Sequence, residues 1–140
     1  MALDSLARSE FEKNIVEITP NWHPEIEKYF ISAGVSPKSA YAWCGYFKHW
    51  LNLSVGIPGK GGWAASWISD KRAIKKVPVP SDGFAIRRNG GSGWHVGHIS
   101  RIMKQEGYFV TYEGNINNRL TSRKIFLDFP GIVYFSYINL

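Results

Sequence analysis

The spacing of apolar residues changes period part-way along this chain, and that change limits the folds open to it. Up to residue 54 apolar positions recur at helical intervals. From Val77 onward they fall in short β-branched and aromatic runs broken by glycine, asparagine and proline. Residues 1–14 carry Leu3, Leu6 and Phe11, with Ile15 next, at loosely helical spacing and with Asp4 available as an N-cap. Pro24 suits the first turn of a second helix, whose face is Ile26, Tyr29, Phe30 and Ala33 and whose end is marked by Gly34. After a turn over 36–40, a third helix is predicted from Cys44 to Leu53. Its Phe47, Trp50, Leu51 and Ser54 share a face, while Lys48 and Asn52 point outward. Residues 56–62, with four glycines and a proline, are a loop, and 63–68 suit one more short helix. Strand-like segments follow at 84–88, 95–102, 108–112, 123–127 and 132–137, with a tight turn over 90–93. Helices first, then consecutive short strands, predict an α+β fold with the N-terminal helices packed on an antiparallel β-sheet.

At 140 residues the chain is read as a single domain over 1–140, long enough to bury a core. One cysteine cannot form an internal disulfide, so packing alone holds the fold. No apolar run approaches a membrane span, and the N-terminus lacks the apolar stretch of a signal peptide. Net charge is +6 and aromatics reach 15%. That balance suits polyanionic partners, namely nucleic acid, an anionic membrane surface or a bacterial wall, without choosing among them.

Three elements could carry chemistry. Cys44 stands at the predicted start of a helix, where the partial positive charge of the first turn favours a thiolate and free backbone N–H groups can hold an oxyanion. The competing reading is a buried, inert thiol. His95 and His98 follow in Trp94-His-Val-Gly-His-Ile, and strand alternation turns them to opposite faces unless Gly97 makes a bulge. One of them at most can therefore serve Cys44, and two histidines without nearby cysteine or carboxylate ligands make a poor metal site. In Tyr112-Glu-Gly-Asn, Glu113 and Asn115 are two apart, so either could accept the N–H of an imidazole and fix its tautomer. The segment also reads simply as a turn.

The order of these motifs resembles the CHAP-type cysteine peptidases and amidases of the NlpC/P60 superfamily. Tyr41-Ala-Trp-Cys-Gly-Tyr-Phe-Lys-His-Trp-Leu is similar to that family's Trp-Cys-small-x-Phe-x-x-Trp signature. Pro80-Ser-Asp-Gly-Phe-Ala-Ile resembles its Pro-Gly-Asp strand, Trp94-His-Val-Gly-His-Ile its Gly-His-Val-Gly motif, and Tyr112-Glu-Gly-Asn its Glu-Gly-Asn. The match runs from about residue 20 to 120. It departs at Gly45, where alanine is common, at Ser81 and at Trp94, where glycine is usual.

The resemblance implies a papain-like fold and a peptidoglycan hydrolase. It would cleave an amide bond, either between sugar and stem peptide or within the peptide, through an acyl-enzyme on Cys44. His95 is then the base, and Glu113 or Asn115 its orienting group. Trp43 and Trp94 are candidate substrate-binding residues, with Trp63 and Trp67 also available to a groove. No metal and no organic cofactor are implied. The partner is bacterial peptidoglycan. Synthesis in the cytoplasm without a signal peptide then implies action in the periplasm or on the wall after phage- or secretion-type delivery. A delivery system and an immunity or inhibitor protein are the further partners of such a route.

Two non-catalytic readings stand beside it. One is a basic, aromatic-rich module that stacks single-stranded nucleic acid on Tyr108, Phe109 and Tyr112, although no RNP-like, KH or helix-turn-helix signature supports it. The other is a binder of wall fragments. The run Lys71, Arg72, Lys75 and Lys76 is either a solvated face or an anion-binding patch.

Overall fold

The computed structural model describes residues 2–88 and 93–140. The expected glycine turn over 90–93 falls almost wholly outside them. Helix α1 (Ala2–Glu12) is followed by a 3-10 turn (Pro24–Ile26) that runs straight into α2 (Glu27–Ser32), and α3 spans Cys44–Ser54. Further 3-10 turns cover Ala64–Ile68 and Lys71–Ala73. The strands are β1 (Ile74–Lys75), β2 (Gly83–Arg87), β3 (Trp94–Met103), β4 (Tyr108–Ile116), β5 (Arg119–Thr121), β6 (Lys124–Phe126) and β7 (Val133–Phe135). They form one antiparallel sheet in the order β1-β7-β2-β3-β4-β5, with β6 beside the first half of β4 and β5 beside its second half. The fold is α+β, with the helices against one face of the sheet. Among the described residues no helix is long and apolar enough to cross a membrane.

Strand alternation divides the core. Val96, His98 and Tyr112 turn toward the helices: Val96 packs with Cys44 and Trp67, and Tyr112 with Leu3, Phe47 and Leu51. Phe84, Ile86, Ile99 and Phe109 pack with Ile125 and Tyr134 on the opposite face. His95 and Glu113 lie on that second face, beside Phe84.

Two sequence expectations are corrected here. Lys48 and Asn52 do not point outward; each is 2% exposed. Because α3 is wedged between α1, α2 and strands β3 and β4, more than its apolar stripe is covered. Asp4 is not an N-cap, since α1 begins at Ala2 and leaves Asp4 in the first turn, where its carboxylate meets His98.

Two glycines are required by close approach. A Cβ at Gly45 would collide with the backbone carbonyl of Gly62, so the first turn of α3 can lie against the 56–62 loop only with glycine there. A Cβ at Gly97 would come within 2.7 Å of both the Phe84 ring and the Glu113 side chain. Glycine at 97 leaves the space through which Glu113 crosses from β4 toward β3.

Candidate functional site

Cys44 is the first residue of α3, with Trp43 in the N-cap position and no side chain capping the turn. Its thiol is buried at 3% exposure. Burial pushes the thiol pKa up, but the His95 imidazole, the Val96 backbone N–H and the Arg88 charge outweigh that and hold it below the ordinary thiol value. Arg88 Nη2 lies 3.7 Å from the sulfur.

His95, 3% exposed, is the second residue of β3. Its Nε2 is 2.8 Å from Glu113 Oε1. Its Nδ1 is buried and closes no hydrogen bond within usual limits. That nitrogen is the one left for Cys44, and thiol and imidazole each shift the other's titration. Burial alone would lower the His95 pKa, yet Cys44 and Glu113 raise it to about 8. A thiol pushed down and an imidazole pushed up both shift the balance toward the thiolate–imidazolium pair.

Glu113 is fully buried and saturated with donors. Besides His95 it accepts from Thr111 Oγ1 at 2.5 Å, and from Arg123 through Nε at 2.6 Å and Nη2 at 2.8 Å. Burial would raise its pKa, but the bonds from His95 and Arg123 prevail and keep it below the usual carboxylate value. Sequence reasoning missed Arg123 and Thr111. Thr111 sits two positions before Glu113 on β4, hence on the same face, and pairing through Thr111 N–H to Arg123 C=O at 3.0 Å brings the arginine alongside.

Asn115 stands apart. Its backbone is left-handed (φ 63°) and the β4–β5 register shifts between Glu113 and Ile116. The simple alternation that would align residues 113 and 115 is therefore broken, and among the described residues Asn115 makes no hydrogen bond to His95. His98 also lies elsewhere. It is fully buried, with Nε2 2.9 Å from Asp4 Oδ1, and its ring stacks on Tyr112.

The tryptophans separate by burial. Trp43 and Trp67 are completely buried. Trp43 stacks on Tyr29 and donates to Glu17 at 2.9 Å, so it is a core residue with no surface for a substrate, contrary to the sequence expectation. Trp94 is half-buried beneath the Arg87 guanidinium, 4.2 Å from its ring centre, while Trp63 is 75% exposed. The aromatics expected to stack nucleic acid do not form a platform: Phe109 is fully buried and Tyr112 is 7% exposed. In the basic run, Lys75 is spent on the buried Asp82 carboxylate at 2.6 Å and Arg72 on Asp70 at 2.8 Å.

Among the described residues no three His, Cys, Asp or Glu side chains converge to hold a metal ion. No protein-family model, no curated protein and no solved structure matches the chain.

Proposed function

We propose that this chain is a papain-like cysteine amidase or peptidase that cuts an amide bond of bacterial peptidoglycan by acyl transfer. One observation carries the chemistry: thiol, imidazole and carboxylate stand in series, with His95 Nε2 held at 2.8 Å by Glu113 so that Nδ1 is the nitrogen left for Cys44. The wall as substrate rests on the four-motif resemblance around these same residues.

In this reading the Cys44 thiolate attacks the amide carbonyl. Backbone N–H groups of the uncapped first turn of α3, with Arg88 beside the sulfur, oppose the charge on the tetrahedral oxygen. The His95 imidazolium gives its Nδ1 proton to the departing amine, and the C–N bond breaks to leave a thioester. Neutral His95 then takes a proton from water, whose oxygen attacks the thioester; the C–S bond breaks, the acid leaves, and the thiolate–imidazolium pair is restored. Glu113 keeps Nε2 protonated throughout and lowers the energy of the imidazolium. Asn115 plays no part in this proton path.

Digestion of purified sacculi by the wild-type protein and by Cys44→Ala, followed by mass spectrometry, tests the reading. Soluble fragments should appear only with Cys44, and their masses name the bond. Equal release by both proteins would remove the thiol from the reaction.

A further inference from the structure

On the sheet face opposite the helices, a cavity of about 400 Å³ opens beside His95. Its charge is of one sign. Arg87, Arg88, Arg123 and Lys124 all line it, and no aspartate or glutamate does among the described residues. The nearest carboxylate, Glu113, lies beneath and is already matched by Arg123 and His95. Arg88 reaches from the rim to the Cys44 sulfur, and Lys124, stacked on Tyr108, forms no ion pair among the described residues. The remaining wall is apolar, with Ile86, Ile125 and Phe129.

We infer that this cavity is a subsite for an anionic group, a carboxylate borne by the peptide close to the amide that is cut. The inference rests on the proposed amide-hydrolase reading for its direction and deepens it. The field of Arg88 and Lys124 in an apolar-walled recess is focused rather than screened, so an anion gains more there than at an open surface. The guanidinium fork of Arg88 matches a carboxylate in plane. The volume of about 400 Å³ accommodates one or two side chains. His95 belongs to both the cavity and the thiol pair, so a group seated here is adjacent to the reacting carbonyl.

Cys44→Ala protein, which cannot turn substrate over, allows binding to be measured alone. Acetyl-Ala-Glu-Ala-amide, its Gln counterpart and inorganic phosphate are titrated by calorimetry. The Glu peptide should bind about tenfold or more tightly than the Gln peptide. In Lys124→Gln and in Arg88→Gln, each in the Cys44→Ala background, the preference should fall below about threefold. Lys124 is at the surface, so its replacement leaves the fold intact. Equal affinity for the two peptides, no binding of either, or a preference that survives both substitutions overturns the subsite. Phosphate binding more tightly than the Glu peptide overturns the carboxylate assignment. If sacculus digestion is independent of Cys44 while the Glu preference holds, the hydrolase reading fails and the subsite stands; the reverse pair of results removes only the subsite.

Discussion

Arg123 grips both carboxylate oxygens of Glu113, with Nε 2.6 Å from Oε2 and Nη2 2.8 Å from Oε1. The carboxylate is fully buried while the guanidinium is partly open to solvent, so the pair is unequal: Glu113 depends on Arg123 far more than the reverse. Removing the arginine leaves the buried charge with only His95 and Thr111, whereas neutralising the carboxylate as well removes the charge that needed the arginine. Arg123→Gln should therefore lose about 1–3 kcal/mol in urea unfolding. Adding Glu113→Gln should recover most of that loss. A double variant less stable than Arg123→Gln would show that the carboxylate is not the group left unsatisfied.

The same bond sets the tautomer of His95. Glutamine at 113 can still reach Nε2 but cannot stabilise the imidazolium by charge. Turnover on sacculi should fall by about a hundredfold or more in Glu113→Gln, with Asn115→Ala close to wild type. Loss of activity in Asn115→Ala alone would reverse the two roles.

Thiol reactivity follows from the thiol pushed down and the imidazole raised to about 8. Iodoacetamide should alkylate Cys44 at about pH 6–7, where an ordinary thiol is largely protonated. His95→Ala should suppress this, since it removes the cation that favours the thiolate. His98→Gln should leave it unchanged. Intact-mass measurement against pH reads all three proteins, and a loss confined to His98→Gln would identify the wrong imidazole.

Cys44, His95 and Glu113 were legible as candidates in the sequence because each sits in a short motif whose residue types suit nucleophilic chemistry. Arg123 was not. It meets Glu113 across strand pairing ten residues later, and nothing in its local sequence marks it. Strands β1 and β5, of two and three residues, are too short for composition to reveal and exist because neighbours pair with them. Lys48 misled for a related reason. Helical periodicity finds the apolar stripe but says nothing about how much more of the helix its neighbours will cover.

His98 gives the fold an acid-sensitive point. Burial holds its pKa down at about 4 despite the Asp4 carboxylate, with Lys48 on α3 opposing protonation and Asp82 favouring it. Below the unfolded value of about 6.5 the unfolded chain binds a proton that the folded chain refuses. Stability should thus fall as pH drops from about 6.5 toward 4, and His98→Gln should flatten that part of the curve. Unfolding midpoints in urea between those pH values test it. A slope unchanged by His98→Gln would assign the acid sensitivity to other groups.

Lys48 should be a net cost to the fold. Its ammonium is buried within the helical layer with one hydrogen bond, to Asn52 Oδ1 at 3.0 Å, and no carboxylate within ion-pair distance among the described residues. Burial lowers its pKa to about 8 even though Asp82 favours the charge. Methionine has similar length and no charge to desolvate, and Asn52 keeps its bond to the Pro58 carbonyl at 2.9 Å. Replacing buried ionic groups by apolar side chains of like volume is often stabilising, by about 1–4 kcal/mol for an ion pair, and here relief of the desolvated ammonium is set against the lost bond to Asn52 Oδ1. Lys48→Met should therefore raise the unfolding free energy. The gain has a pH signature. Below about 8 lysine is charged in both states and its penalty is complete. Between about 8 and 10.4 the folded chain releases the proton while the unfolded chain keeps it, so wild-type stability rises relative to the variant. The difference between the two proteins should be largest near neutral pH and shrink above pH 8. A Lys48→Met protein less stable than wild type at pH 7 would mean that the ammonium holds α3 in place.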